Sequence, residues 1–350
     1  MATTLPVTSV WSGPGATDGV IETAPLHEDA WHPSAHRQAF EHWYFDARLD
    51  DGHVVLAFLQ FAKPGDMKPG VELQVYKPDG SRLEVRQSYP RSAIQASMQT
   101  CEVQVAHNRA WVDASGALPV FHVAMEEGGV SFDLEFASEL PAWQPGAGRT
   151  RYGDSDFFAW MVGAPRARVS GTIRYDDTDF DAAGVGYHDH NWGIGPMQRI
   201  IDHWHWGRVY SDELTYVYAD VHTTKRYGGV KSSPIMLAVG EEIVLSSGEV
   251  EVEEGPQRFD AEANRSFPTH LVLRTAESEL RLDVERVLHA HDILDDLPVA
   301  RSSLVKPLIH RTLGRPGYFR FESRYSLRAT VDGKRHEATG TTLHEMVALR

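Results

Sequence analysis

Hydrophobic and polar residues alternate along most of the chain, in short runs separated by turn-forming residues. Residues 41–49 and 53–62 flank Asp50-Asp51-Gly52, and residues 318–329 and 336–347 flank Asp332-Gly333. Alternation with a period of two is typical of half-buried β-strands, and such turns are typical of hairpins. Many short strands at regular spacing predict an all-β protein of sandwich or barrel type with little helix.

The pattern also predicts one helix and, together with the length of the chain, a boundary between two domains. Residues 294–313 lack strand alternation and are predicted to hold the one substantial helix. A length of 350 residues suits two domains. Acidic turn residues follow a predicted strand at 166–175, so we place the boundary near residue 180. We therefore expect an N-terminal domain at 1–180, with an irregular lead-in, and a C-terminal domain at 181–350.

The stretch 187–222 combines histidine, tryptophan, tyrosine and carboxylate more densely than any other part of the chain. Its second half predicts a hairpin in which strands at 203–210 and 214–222 flank Ser211-Asp212-Glu213. Because side chains alternate between the faces of a strand, Tyr216, Tyr218 and Asp220 share one face.

The length of the hairpin loop decides what Asp220 meets on the neighbouring strand. A three-residue loop places Trp204 opposite Asp220, whereas a two-residue or four-residue loop places His205 there. In either register an acid lies among aromatic residues, with histidine nearby. Burial disfavours the charged carboxylate, so the pKa of Asp220 is expected to rise and its carboxyl group to donate a proton. If the carboxyl group protonates a carbon–carbon double bond, the faces of the aromatic rings would stabilise the cation that forms on the substrate.

Metal and nucleotide chemistry have less support. His188-x-His190 and His203-x-His205 have the spacing that places two imidazoles on one strand face, where Asp189 or Asp220 would complete a zinc or iron site. Tryptophan crowds both pairs, which favours a dry apolar pocket over a coordination shell. We therefore expect no metal and no cofactor. The sequence also has no nucleophile-elbow or phosphate-binding motif.

The composition of the chain limits the classes of binding partner and the cellular compartments that are expected. The formal net charge of −15 argues against nucleic acid, because phosphate contact needs a basic face. The single cysteine, Cys101, excludes an internal disulfide and suits a reducing compartment. The N-terminus lacks the features of a secretory signal, and no run of 18 apolar residues occurs. We expect a cytoplasmic protein without an integral membrane segment, which contacts a membrane at most transiently to collect substrate.

Several motifs together resemble the carotenoid 1,2-hydratase (hydroxyneurosporene synthase) family. They are EHWYFDARLDDG at 41–52, GVGYHDHNWG at 184–193, HWHWGRV at 203–209, YVYADV at 216–221 and GTTLHEMV at 340–347. The resemblance implies two lipocalin-like antiparallel β-barrels with a mainly apolar ligand cavity. The wider superfamily includes decalin-forming Diels–Alderases and terpenoid cyclases. By this resemblance the family's catalytic acid corresponds to Asp220, with Tyr218 and the HWHW strand lining the pocket.

The expected function is cofactor-independent acid–base catalysis on a hydrophobic isoprenoid or polyene, in which protonation of a C=C bond gives hydration or cyclisation. The alternatives are a pericyclase that only folds a polyene, and a non-catalytic protein that binds a lipophilic ligand. The predicted catalytic residues are Asp220, Tyr218, His205 and His188. The predicted substrate-binding residues are Trp43, Tyr44, Trp192, Trp204, Trp206 and Tyr216.

Overall fold

The computed structural model describes residues 4–11, 18–21, 23–61, 68–296 and 314–350. Antiparallel strands form two large curled sheets, so the prediction of an all-β fold with two barrel-like sheets is confirmed. Most of the segment predicted to be helical, residues 297–313, lies outside the described residues. The helical turns of the described part are Leu26–Asp29, Arg91–Ala93, Met197–Ile200, Lys225–Tyr227 and Ile293–Asp296.

The first sheet follows a short strand β1 (Val7–Thr8). Its strands are β2 (Ala39–Leu49), β3 (Val54–Gln60), β4 (Gly70–Tyr76), β5 (Arg82–Ser88), β6 (Ile94–Ala96), β7 (Glu102–Val105), β8 (Asn108–Asp113), β9 (Val120–Glu127), β10 (Val130–Ser138), β11 (Arg149–Tyr152), β12 (Asp156–Tyr175) and β13 (Thr178–Ile194). The order across the sheet is β5-β4-β3-β2-β13-β12-β10-β9-β8-β7-β6, and β11 pairs with β12. The two longest of these strands, β12 and β13, form a hairpin near the middle of the sheet.

The second sheet is built from the later part of the chain. Its strands are β14 (Ile201–Tyr210), β15 (Leu214–Thr223), β16 (Lys231–Ser232), β17 (Ile235–Val239), β18 (Glu242–Ser247), β19 (Glu251–Glu254), β22 (His270–Arg274), β23 (Ser278–Asp292), β24 (Gly317–Val331) and β25 (Lys334–Ala348), and a separate ribbon pairs β20 (Gln257–Asp260) with β21 (Arg265–Pro268). The order is β18-β17-β15-β14-β25-β24-β23-β22-β19, and β16 pairs with β15.

The chain divides into two compact units, Glu22–Gly195 and Met1–Ile21 together with Pro196–Arg350. This division differs from a boundary near residue 180. The reason is that β13 pairs with β12 and β2 from Gly184 to Ile194, which keeps these residues in the first sheet. The dense stretch 187–222 is therefore shared between the two units.

Alternation along the strands accounts for the cores of both units. In β2, Trp43, Phe45, Ala47 and Leu49 all pack into the first core. In the second unit, Val209, Tyr216 and Tyr218 pack with aliphatic residues of neighbouring strands. The inward face of each sheet is thus apolar, which makes any buried charge on that face conspicuous.

The hairpin predicted at 203–222 is present as β14 and β15. Ser211 donates its backbone N–H to the carbonyl of Leu214, so Asp212 and Glu213 form a two-residue turn. The register pairs His205 with Asp220, and this decides between the two registers that the sequence left open.

Candidate active site

A cavity of about 820 Å³ opens in the first unit, where β2 begins and β13 ends. Aromatic side chains supply much of its wall, and its ionisable groups are Glu41, His32, Arg91 and Arg149. The lining residues are Trp31, His32, Pro33, Ser34, Ala35, Ala39, Phe40, Glu41, Phe61, Arg91, Ile94, Arg149, Phe157, Trp192, Gly193 and Ile194. An apolar concave site with a few converging polar groups is the usual form of a small-molecule pocket.

Glu41 is the carboxylate in the wall of this cavity. Its Oε1 accepts hydrogen bonds from the backbone N–H of His32 (2.8 Å) and from His190 Nε2 (3.0 Å), and His32 Nδ1 lies 3.3 Å away. The His32 ring stacks on Trp192 with a centroid distance of 4.0 Å. One carboxylate oxygen therefore connects a half-buried imidazole at the cavity with a fully buried imidazole behind it.

The chain of polar groups continues into the core through Asp29. His188 donates from Nδ1 to the carbonyl of Tyr44 (2.9 Å), and its Nε2 lies 2.9 Å from Asp29 Oδ2. His190 Nδ1 donates to the carbonyl of Glu28 (3.0 Å) and lies 3.6 Å from Asp29 Oδ1. Since both nitrogens of each ring face acceptors, each imidazole and its carboxylate partner hold two protons between them.

The electrostatics favour a charged pair at the cavity wall. Burial alone would raise the pKa of Glu41, but the hydrogen bonds from His190 and His32 outweigh it and the pKa is lowered. Burial alone would lower the pKa of His32, but Glu28 and Glu41 outweigh it and the pKa is raised. An imidazolium beside an ionised carboxylate can give a proton at one atom and take one at another.

Asp220 lies in the second unit and is almost fully buried. Its carboxylate accepts hydrogen bonds from Ser233 Oγ (2.6 Å) and from His222 Nε2 (2.8 Å). Burial favours the protonated form, but His222, Ser233 and His205 outweigh it, so the pKa of Asp220 is lowered. The expectation of a raised pKa at Asp220 is therefore wrong, because hydrogen bonds from His222 and Ser233 favour the charged carboxylate.

The structure separates several predicted site residues. Tyr216 and Tyr218 share the face of Asp220, as expected, and His205 joins them in one of the two registers that the sequence left open. Trp204 and Trp206 pair with Val221 and Ala219 and so lie on the opposite face.

The predicted residues of the first unit also divide between two faces. Trp43 and His188 lie on the inward face, and Trp192 lines the cavity. Tyr44 pairs with Asp189 on the other face of the sheet. The substrate-binding group proposed from sequence is therefore not one surface.

One buried acid was not singled out from the sequence. Asp189 accepts hydrogen bonds from Trp160 Nε1 (2.9 Å), Tyr187 OH (2.8 Å) and Asn191 Nδ2 (2.9 Å). Burial raises the pKa of Asp189 to about 7. The signal was present, because Asp189 lies in the HDHNWG motif, but it was considered only as a metal ligand.

Sequence comparison relates this chain to a known protein family. The model of the Svf1 family matches residues 29–348, nearly the whole chain. The chain belongs to the Svf1 family. Hydroxyneurosporene dehydrogenase of Chlorobaculum tepidum is 24% identical over 226 residues, which cover 55% of this chain. The match spans 59% of the length of that relative.

Solved structures share the fold of this Svf1-family chain at low identity. Kievitone hydratase from Nectria haematococca has a TM-score of 0.59 at 13% identity, covering 99% of this chain and 98% of its own. CghA with Sch210972 has a TM-score of 0.63 at 13% identity, with the same two coverages. At this level of identity the matches show a shared fold, which agrees with the two-sheet, all-β fold expected from the sequence. Among the described residues, no helix has the length and apolar character needed to cross a membrane.

Proposed function

We propose that the protein is a lyase- or cyclase-type enzyme that acts on a hydrophobic, unsaturated small molecule by proton transfer, without a cofactor. The observation behind this proposal is the cavity of the first unit, where aromatic walls surround Glu41 and His32. The shared fold with a protein named as a hydratase agrees with it. An isoprenoid or other polyene is the substrate class that suits the apolar lining.

In the proposed reaction, His32 donates a proton to one carbon of a C=C bond, and a cation forms on the other carbon. The faces of Trp192 and Phe40 stabilise this cation by their quadrupoles. In hydration, water attacks the cation and its proton passes to Glu41. In cyclisation, a second C=C bond attacks, and Glu41 takes a proton from the adjacent carbon. The hydrogen bond between Glu41 and His32 then returns the proton to the donor, so no net charge is left.

Asp220 and Tyr218 form the second candidate for the proton-transfer group. The hydroxyl oxygen of Tyr218 is buried and has no hydrogen-bond partner among the described residues. Buried hydroxyl groups without partners are costly in a purely structural core. Because its pKa is lowered, Asp220 would be ionised before the reaction and would act in this group as a base rather than as a proton donor.

The test is an incubation of farnesol and geranylgeraniol with the protein in heavy water, with mass analysis of the products. Proton-initiated hydration or cyclisation places one deuterium on carbon, with or without the gain of one water. Glu41→Gln keeps the shape of the side chain and should lower turnover by roughly 10²–10⁴-fold. Glu135→Gln, at a largely exposed position of β10, is the matched control and should have normal turnover.

Each of the other outcomes would indicate a different activity or a different site. A cyclised product without carbon-bound deuterium, formed at the normal rate by Glu41→Gln, would identify a pericyclase. Loss of two hydrogens in a parallel incubation that contains an added two-electron acceptor would identify a dehydrogenase. Retained turnover in Glu41→Gln together with lost turnover in Asp220→Asn would move the reaction to the Asp220 group. Saturable binding of both alcohols without any product would identify a binding protein.

A further inference from the structure

We propose that His203, His205 and Glu254 form a binding site for a divalent first-row transition metal ion of the zinc type. The two histidines lie on β14, and Glu254 is the last residue of β19. Each offers one ligand atom, and the three atoms lie within 4.8 Å of one another. The site belongs entirely to the second unit and is separate from the cavity proposed for catalysis.

The ligand atoms have separations that suit a bound ion. His205 Nε2 lies 3.2 Å from Glu254 Oε1, and His203 Nε2 lies 3.8 Å from the same oxygen. Ligands that bind zinc tetrahedrally at about 2.0–2.1 Å are about 3.4 Å apart. The observed distances lie on either side of this value, so small side-chain rotations suffice to place an ion between the three atoms.

The outer atoms of two ligands are held by further side chains. His203 Nδ1 donates to Asp202 Oδ2 (2.8 Å), and the Gln257 amide donates to Glu254 Oε2 (3.1 Å). A carboxylate that binds the outer nitrogen of a histidine is the usual support of a metal ligand. These bonds direct His203 Nε2 and Glu254 Oε1 toward the common centre.

The tryptophans that alternate with the two histidines along the chain do not surround this group of ligands. The register places Trp204 and Trp206 on the opposite face of β14 from His203 and His205. The imidazoles therefore face other polar groups rather than indole rings.

Access and charge suit an ion that comes from solvent. His205 is fully buried, and its Nδ1 has no hydrogen-bond partner in the part of the chain that the structure describes, whereas the Glu254 side chain is 32% exposed. Asp202 and Asp220 add negative charge nearby, while Arg265 interacts with Asp202 and Glu254 and partly offsets it.

Two imidazole nitrogens and one carboxylate oxygen favour zinc, cobalt or ferrous iron over calcium and magnesium, which prefer sites made of oxygen alone. The exposed side of the site leaves room for water as a further ligand.

Cobalt(II) is the probe, because its visible absorption reports the coordination shell. The full-length protein is treated with EDTA, desalted and titrated with cobalt(II) chloride. We expect visible absorption bands that saturate at one equivalent and disappear when zinc is added. His203→Ala and Glu254→Gln should each weaken cobalt binding by at least about 10-fold. Asp202→Asn should weaken it by about 10–100-fold. Glu254→Gln changes an accessible side chain without changing its size, which limits its effect on folding.

The control comes from another group of potential ligands. His32, Glu41 and His190 also bring three ligand atoms together in the first unit. His32→Ala should leave the cobalt bands unchanged. Bands that vanish in His32→Ala but persist in Glu254→Gln would overturn the proposal. Saturating cobalt that produces no bands in the unmodified protein would overturn it as well.

Discussion

The two His-x-His pairs of this protein share a sequence pattern but have different partners. In the first pair, His188 and His190 bind a backbone carbonyl through one nitrogen and face a carboxylate with the other. In the second pair, the Nε2 atoms of His203 and His205 converge on one partly exposed carboxylate, and His205 Nδ1 has no hydrogen-bond partner among the described residues. Each imidazole of the first pair is thus held at both nitrogens, whereas the second pair brings two ring nitrogens to a single carboxylate oxygen.

This difference arises from distant parts of the chain. The turn Leu26–Asp29 brings the Glu28 carbonyl and the Asp29 carboxylate to the first pair, although Asp29 precedes His188 by 159 residues. Glu254 follows His205 by 49 residues. Spacing within a strand predicts which side chains share a face. The chemistry of that face depends on what other segments place opposite it.

The aspartates next to the pairs show the same contrast. Asp189 is surrounded by the neutral donors Trp160, Tyr187 and Asn191, and burial raises its pKa to about 7. Burial acts in the same direction on Asp220, but His222 and Ser233 lower its pKa. Burial therefore does not decide the protonation state of a carboxyl group when imidazoles lie within hydrogen-bonding distance.

The largest predicted effect is the pH dependence that Asp189 contributes to stability. Between about pH 4 and pH 7 the folded state keeps a proton on Asp189 that the unfolded state has lost, so this contribution falls as pH rises. The total over this range is on the order of a few kcal/mol. We expect Asp189→Asn to lack this decline when free energies of unfolding from urea titrations are compared across the range. Equal pH slopes for both proteins would contradict the raised pKa.

Asp220 should give a smaller effect of the opposite sign. Because its pKa is lowered, its stabilising contribution is present above about pH 4 and is lost as pH falls further. Asp220→Asn should lower the free energy of unfolding at pH 7 by about 1.5–3 kcal/mol, since it removes the charge from two hydrogen bonds. The loss should shrink in urea titrations at acidic pH. A loss that stays constant down to pH 3 would mean that Asp220 is not ionised in the folded protein.

The sequence predicted the fold and the hairpins well, because alternation and turn residues are local signals. It placed Tyr218 and Asp220 correctly on one face but left the partner of Asp220 open. The two-residue turn at Asp212 and Glu213 puts His205, not Trp204, opposite Asp220. It did not identify His32 or Glu41 as site residues, because His32 lies in an irregular lead-in and Glu41 resembles an ordinary strand residue. Their importance depends on a cavity and on His190, which is 149 residues from Glu41.

The smallest predicted effect is a loss of stability that reports how rigidly His188 of the first pair is held. A Cβ atom at Gly163 would lie 2.6 Å from His188 Cδ2 and 3.0 Å from Phe121 Cζ. His188 is fixed at both ring nitrogens, so it cannot move away without losing a hydrogen bond, and we expect Gly163→Ala to cost about 1–3 kcal/mol. Gly116→Ala is the control, because its Cβ would meet only the carbonyl of Leu118 at 3.4 Å. Urea unfolding at neutral pH measures the stability of both variants. Equal stabilities would show that the His188 ring shifts freely, contrary to the hydrogen bonds at both of its nitrogens.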